Sequence, residues 1–142
     1  MELQQIIGGI ALDDRGNVRF ANGFDMSPVK RFYIIQNTDT SLVRGWRGHE
    51  IEQRWFYVLD GSFQLSYVKI DNWDRPSKDL LVKDTVLNAS QFAVTHIPVG
   101  YATSLKALSS LATLLVFADY PIEHAKNDDH VYPLEYFSKA EK

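Results

Sequence analysis

Three arginines and one histidine fall close together in a segment that has the composition of paired strands. Arg44, Arg47 and His49 precede a run of aromatic residues that begins after Arg54 and ends at the turn Asp60-Gly61. Because strand side chains alternate between faces, Arg47 and His49 project to one side, and Arg54 shares a face with the alternate apolar residues after it. An imidazole accepts protons near neutral pH and guanidinium groups hold anions, so these residue types predict proton abstraction or anion binding.

The same cations also have a structural interpretation. Buried cations need an ion-pair partner or a bound anion. If Arg47, His49 and Arg54 lie at the mouth of a barrel instead, they pair with nearby acidic side chains. Those acids are Glu50, Glu52 and Asp60. The strand pattern alone leaves both interpretations open.

Aromatic and β-branched residues occur in short runs between Gly, Pro, Asn and Asp, which is typical of an all-β domain. The regular spacing of these runs predicts a sandwich or jelly-roll barrel in a single domain, residues 1–142. A helical tail is expected from about Pro133 to Lys142, and the polar loop 71–77 is expected to cap an opening. The predicted strands are Val18-Phe20, Val29-Gln36, Ser41-Trp46, Gln53-Leu59, Ser62-Ile70, Asp79-Leu87, Gln91-Ile97, Tyr101-Ala107 and Ala112-Ala118.

Composition excludes several classes of function. The chain has 142 residues with 15 Lys+Arg against 18 Asp+Glu, so no general attraction to nucleic acid or to an anionic membrane is expected. It has no cysteine, which removes thiolate chemistry. The sequence shows neither a signal peptide nor an apolar stretch of membrane-spanning length, and we expect a cytoplasmic protein.

Five segments, in register over about residues 12 to 120, resemble the nucleotide-sugar branch of the cupins. This branch holds the dTDP-4-keto-6-deoxyhexose 3,4-ketoisomerases and the dTDP-4-dehydrorhamnose 3,5-epimerases. The resemblance implies a double-stranded β-helix, the cupin jelly roll, and a homodimer. The segments are Asp14-Arg15-Gly16, Val29-Lys30-Arg31-Phe32-Tyr33, Arg44-Gly45-x-x-x-His49, Val58-Leu59-Asp60-Gly61-Ser62 and Ile97-Pro98-x-Gly100-Tyr101.

The chain differs from the families that it resembles at the positions of the metal ligands and of the catalytic base. The ligands of metal-binding cupins fall on Arg47, His49, Arg54 and Thr103. A guanidinium has no lone pair and repels a cation, so neither a metal nor another cofactor is expected. The Arg-Gly-x-His-x-His motif of the ketoisomerases is matched at Arg44 and His49, with Arg47 at the first His. In the epimerases the base His also falls on Arg47 and the catalytic Tyr falls near Leu115, which disfavours epimerase chemistry.

The resemblance therefore implies a metal-independent isomerase that moves a carbonyl from C4 to C3 of a dTDP-4-keto-6-deoxyhexose. His49 would take the C3 proton, Arg47 and Arg54 would stabilise the enediolate, and Tyr33 or Tyr101 would return a proton or hold sugar hydroxyls. A role in deoxysugar and surface polysaccharide biosynthesis would follow. The remaining substrate-binding candidates are Arg31, Arg44 and Lys106 for the diphosphate, Trp46 for the base and His96 for the cavity wall.

Two alternatives remain open at this point. One is a protein related to the sugar-nucleotide 3,5-epimerases. The other is a non-catalytic cupin that binds a sugar nucleotide, which the replacement of two cupin histidines by Arg47 and Thr103 favours. Retention of Arg44, His49 and the surrounding cations favours the enzyme.

Overall fold

Two five-stranded antiparallel sheets form the body of residues 2–137, the part of the chain that the computed structural model describes. In sheet order, the first contains β1 (Gln4–Ile7), β9 (Ala93–Ile97), β6 (Arg54–Asp60), β11 (Ala112–Ala118) and β4 (Arg31–Asn37). The second contains β12 (His130–Val131), β5 (Val43–His49), β10 (Tyr101–Ala107), β7 (Ser62–Lys69) and β8 (Lys83–Asn88). A separate hairpin consists of β2 (Gly9–Asp13) and β3 (Gly16–Phe20). These sheets confirm the predicted all-β jelly roll.

The main hydrophobic core lies between the two sheets. Alternate residues of β6 and β11 project into it, which is why their apolar residues recur with a period of two. Phe56 and Leu114 come from the first sheet and Phe63 and Leu65 from the second, and each is at most 1% exposed. This core occupies one part of the space between the sheets and leaves the other part for polar side chains.

A glycine turn carries the chain from one sheet to the other. Gly61 has φ +72°, a left-handed conformation that other residues adopt at a cost, and a Cβ there would collide with the carbonyl oxygen of Leu111. Asp60 ends β6 in the first sheet and Ser62 begins β7 in the second. The turn predicted at Asp60-Gly61 therefore lies where the strand with Arg54 ends.

A second hydrophobic cluster covers the outer face of the second sheet. Trp46 and Phe137 are 2% and 3% exposed and their rings meet edge to face at 5.1 Å. The Trp73 ring lies on Gly48, where a Cβ would come within 2.7 Å of it. The Tyr132 hydroxyl donates to the carbonyl oxygen of Trp73 at 2.9 Å. The C-terminal segment and the loop 71–77 thus pack on the back of β5.

The structure corrects two expectations about irregular segments. The loop 71–77 caps this outer cluster and not an opening, because Trp73 packs on β5 and the segment after it. The short helix α1 (Ile122–Ala125) lies upstream of the predicted helical tail, and residues 133–137 form turns and bends. The rest of that predicted tail, residues 138–142, lies outside the described residues.

Each predicted strand is present, although β8 begins four residues after the predicted start at Asp79. Strands β1, β2 and β12 were not predicted. They are short or carry mostly exposed side chains, so they lack the period-two pattern of a half-buried strand. Among residues 2–137, no helix combines the length and apolar character that crossing a bilayer requires.

Candidate active site

A cavity of about 860 Å³ opens between the two sheets beside the core. Strands β4 and β6 form one wall, β5 and β10 form the other, and α1 with the 3₁₀ turn Lys126–Asp128 lies at its edge. Such a volume falls in the range that holds a drug-sized ligand or a cofactor. Cationic side chains from four elements face this space.

His49 ends β5 at the cavity wall and is 9% exposed. Its Nδ1 lies 2.8 Å from the carbonyl oxygen of Asp128. A carbonyl only accepts, so Nδ1 carries the proton and the neutral ring has its lone pair on Nε2. Burial, and then the positive charge of Arg54, lowers the pKa of His49 from 6.5 to about 4. The imidazole is therefore a neutral proton acceptor at pH 7.

Arg54 begins β6 and is 6% exposed. Its Nη2 donates to Thr103 Oγ1 at 3.1 Å, and Tyr33 lines the same part of the cavity. Within residues 2–137, no carboxylate lies at ion-pair distance from this group. Burial lowers the pKa of Arg54, and the charges of Glu52 and Asp129 oppose that shift only in part, so a bound anion would stabilise the guanidinium. Negative charge on a bound ligand would therefore be stabilised next to Arg54.

Glu52 lies beneath His49 in the turn between β5 and β6. The Arg31 Nη2 donates to Glu52 Oε1 at 2.9 Å, and the Glu52 side chain is 1% exposed. Its other oxygen, Oε2, has no hydrogen-bond partner and lies 3.8 Å from His49 Nε2. Burial raises the pKa of Glu52, and the charge of Arg31 opposes that rise.

Asp128 stabilises the turn between β5 and β6, which follows His49 and contains Glu52. Its carboxylate is 1% exposed and accepts hydrogen bonds from the backbone N–H groups of Glu50, Ile51 and Glu52 at 2.8 to 3.1 Å. Its carbonyl accepts from His49. One residue from the segment after α1 therefore fixes both the ring orientation of His49 and the backbone of Glu52.

Further cations stand at the rim of the cavity. Arg47 donates to Asp129 Oδ2 at 2.9 Å and its side chain is 60% exposed. Arg44 donates through Nε to Asn37 Oδ1 at 2.8 Å. Lys126 lies on the other side of the opening. This rim can receive an anionic group that extends from the cavity toward solvent.

The structure brings six of the ten predicted residues together at the cavity. All six have a polar or cationic group that faces the cavity, and His49 is the central residue among them. They are Arg31, Tyr33, Arg44, Arg47, His49 and Arg54. The ion-pair interpretation holds only for His49, whose Nε2 lies 3.8 Å from Glu52 Oε2. Arg47 pairs with Asp129 and not with an acid of its own segment, and the close partner of Glu52 is Arg31.

Two predicted residues lie in hydrophobic clusters away from the cavity. Trp46 projects to the outer face of β5, where its Nε1 donates to the carbonyl oxygen of Leu134 at 3.1 Å. A nucleotide base at the cavity cannot stack on it. Tyr101 is 5% exposed in the core, with its ring edge-on to Tyr67 at 6.0 Å. Neither residue lines the 860 Å³ cavity.

The other two predictions are corrected in the same way. His96 stacks on Trp55 with ring centroids 5.2 Å apart, and its Nε2 bonds Gln53 Oε1 at 2.7 Å, on the outer face of the first sheet. Lys106 donates to the carbonyl oxygen of Thr40 at 2.6 Å. Both make local structural contacts outside the cavity, because their strand positions project away from it.

The donor set of the cavity does not fit a divalent metal. The positions that resemble cupin ligand positions carry two guanidiniums, one hydroxyl and His49. Arg54 occupies the interior with no carboxylate of residues 2–137 at ion-pair distance, so it repels a cation. In the described part of the chain, no three His, Cys, Asp or Glu side chains are grouped as a metal site requires.

No protein-family model and no curated protein sequence matches this chain. Solved structures do match. A mutant of a sugar 3,4-ketoisomerase from Thermoanaerobacterium thermosaccharolyticum, in complex with TDP-4-keto-6-deoxyglucose, is 20% identical and has a TM-score of 0.68, with 89% of this chain and 85% of that chain covered. A 3,4-ketoisomerase from Helicobacter canadensis is 21% identical with a TM-score of 0.68, and 91% and 90% of the chains are covered.

An epimerase from Mycobacterium tuberculosis is also similar, at 16% identity and a TM-score of 0.70, with 91% of this chain and 68% of that chain covered. These likenesses show that the chain has the cupin fold shared by the two enzyme groups to which the sequence segments point. Because the TM-scores of the two groups overlap, the fold does not choose between ketoisomerase and epimerase chemistry.

Proposed function

We propose that this protein is a metal-independent isomerase that converts a dTDP-4-keto-6-deoxyhexose to its 3-keto isomer. The observation that carries the proposal is the pairing of a neutral buried imidazole, His49, with a buried guanidinium that lacks a counterion, Arg54. A base next to a fixed positive charge suits the removal of a proton beside a carbonyl. Supply of deoxysugars for surface polysaccharide is the role that such a reaction would serve.

The first chemical step is enolisation. His49 Nε2 takes the proton from C3, the C3–H electron pair forms the C3–C4 double bond, and the carbonyl electrons move to O4. Arg54 stabilises the resulting negative charge because its guanidinium is already desolvated and oriented by Thr103. This stabilisation replaces the Lewis acid that a metal-binding cupin would supply.

The second step completes the isomerisation. The O3 proton passes to O4, the O3 electrons form the C3 carbonyl, and C4 takes a proton from a donor in the cavity. Tyr33 is the proposed donor, because it lines the cavity with Arg54 and its hydroxyl can donate a proton to the substrate. Tyr101 drops out of this role because it lies in the core.

The rim cations are the proposed binding site of the diphosphate. Arg44 and Arg47 come from one strand and Lys126 from the 3₁₀ turn opposite, so their charges converge on the opening. A guanidinium fork matches a pair of phosphate oxygens. Arg31 is committed to Glu52 and is assigned to the cavity floor instead.

A proton NMR time course with dTDP-4-keto-6-deoxyglucose in deuterated water tests the proposal against a protein-free sample. Loss of the C3 signal together with a new 3-keto species supports the isomerase. Exchange at both C3 and C5 supports the epimerase instead. That result would be unexpected, because the epimerase tyrosine falls near Leu115, which points outward and pairs with the exposed Ile34.

A sugar-nucleotide binder without turnover is the second candidate. It is favoured by Arg47, which replaces a cupin histidine and is paired with Asp129 at the rim. Calorimetric titration with dTDP separates the two: binding without C3 exchange supports the binder. An absence of both binding and exchange contradicts both candidates.

A further inference from the structure

Two buried hydrogen-bond acceptors face each other at the floor of the cavity. His49 Nε2 lies 3.8 Å from Glu52 Oε2, and it carries the ring's lone pair because the Nδ1 proton is donated to the Asp128 carbonyl. Glu52 Oε2 has no hydrogen-bond partner, and its side chain is 1% exposed. A buried acceptor without a donor is costly and therefore uncommon. The pair lacks one proton, and one proton between the two atoms would satisfy both.

We infer that Glu52 receives the proton that His49 removes from the substrate and so acts as a positioning and relay residue behind the base. The inference rests on the proposed enolisation. His49 Nε2 first forms a bond to the C3 proton. The resulting N–H then donates to Oε2, once the ring and the carboxylate close to hydrogen-bond distance, about 2.8 Å. Transfer to Oε2 leaves a neutral imidazole and a neutral carboxyl group.

The charge balance explains why the relay suits this cavity. Before reaction Arg54 carries a buried positive charge, Glu52 and Asp128 carry buried negative charges, and the positive charge of Arg31 is 21% exposed. After the relay Glu52 is neutral and the enediolate beside Arg54 carries the negative charge. The number of buried ions is unchanged, because the enediolate replaces the Glu52 carboxylate, so the step avoids an additional desolvated ion. Without Glu52, the enediolate would form together with a buried imidazolium.

The charged and titratable groups around His49 are consistent with this assignment. Arg54 and Tyr33 face it from the first sheet, and Arg47 lies two residues before it on β5. From the segment after α1, Asp128 Oδ2 is 3.9 Å from Nδ1, and Asp129 acts at longer range. Asp128 is fully engaged by three backbone N–H donors. On the Nε2 side of the ring, Glu52 Oε2 is therefore the oxygen that can still accept a hydrogen bond.

Glu52→Gln tests the relay, with Glu50→Gln as a matched control. Glu50 is an exposed carboxylate in the same turn, and only its backbone contacts Asp128. For C3 exchange we expect Glu52→Gln to lower kcat by about 10- to 100-fold with little change in KM. Glu50→Gln is expected to match the parent protein. An equal kcat for Glu52→Gln and the parent overturns the relay and leaves the isomerase intact.

Titration of the His49 ring by NMR tests the same contact without any substrate. A nearby carboxylate favours the imidazolium, so Glu52→Gln should lower the pKa of His49 by about half a unit or more, whereas Glu50→Gln should not change it. His49→Gln assigns the signal among the four histidines. If Glu52→Gln does not fold, Glu52→Asp withdraws the carboxylate and keeps its charge. An unchanged His49 pKa contradicts the relay even if the protein is not an isomerase.

Discussion

The two faces of β5 carry side chains of opposite character, polar on the inner face and apolar on the outer face. On the inner face, Arg47 and His49 border an open cavity, and His49 meets an acceptor that lacks a donor. On the outer face, Trp46 and Gly48 are closed over by rings. The outer face stabilises the fold by burial, whereas the inner face carries the neutral His49 and the exposed Arg47, which line the proposed active site.

The segment after α1 connects these two faces. Asp128 contacts the inner side, then β12 pairs with β5 through His130 and Gly48, and the residues that follow cover Trp46. The segment thus orients the base and contributes to the hydrophobic cluster. From Trp46 to His49, residue parity separates the hydrophobic face of β5 from the face of the proposed site, and Asp128 couples the two; Arg44 reaches the cavity because the register shifts between Arg44 and Arg47.

The largest expected effect is on the inner face. His49→Gln should lower kcat by about 10³-fold, because general-base catalysis contributes 10²- to 10⁴-fold. It should change the free energy of unfolding at pH 7 by no more than about 1 kcal/mol, because an amide can still donate to Asp128. Turnover assays and urea denaturation measure the two quantities. His96→Gln is the control, and a similar loss of kcat there would contradict the assignment.

The outer face should respond in the opposite way. Trp46→Ala removes a ring that is 2% exposed, and we expect a loss of about 3 to 5 kcal/mol in the free energy of unfolding. Activity per folded molecule should be unchanged. Trp46→Phe should cost less, since part of the contact with Phe137 remains. A drop in kcat without a loss of stability would show that the two faces are not separated as described.

Asp128→Asn should affect both faces together. The amide keeps one acceptor oxygen for a turn that offers three backbone donors, so we expect a loss of about 2 kcal/mol in unfolding free energy. Displacement of His49 should lower kcat by about tenfold or more. Asp129→Asn, which removes only the rim ion pair with Arg47, should change stability by less than about 1 kcal/mol. Equal stability of the two variants would contradict the coupling.

A pH dependence of stability is also expected, comparable in size to the effect of Asp128→Asn. The folded-state pKa of His49, about 4, is below its unfolded value of 6.5, so the unfolded chain binds more protons between these values. The contribution is fully present above pH 6.5 and is lost as pH falls toward 4, by about 2 to 3 kcal/mol. His49→Gln should lose less stability than the parent over this range in urea titrations. Parallel curves would contradict the lowered pKa.

Local patterns predicted nine of the twelve strands in residues 2–137 and the inner face of β5, because alternation is a property of neighbouring residues. They did not predict which distant segment covers each face. Trp46 was expected at the ligand, yet Phe137 and Leu134 enclose it on the outer side. Asp128 lies 79 positions from His49, so no pattern of neighbouring residues predicts their contact. Glu52 was recognised as an acid near the cations, but its unpartnered oxygen is a property of the folded turn alone.

The central claim is that His49 removes the C3 proton beside the buried charge of Arg54. The most direct measurement is the rate of deuterium incorporation at C3 of dTDP-4-keto-6-deoxyglucose, followed by NMR in parallel for the parent protein, His49→Gln and His96→Gln. Exchange by the parent and by His96→Gln, with none by His49→Gln above the protein-free rate, is the predicted result. Equal exchange by all three proteins would contradict the assignment of His49 as the base.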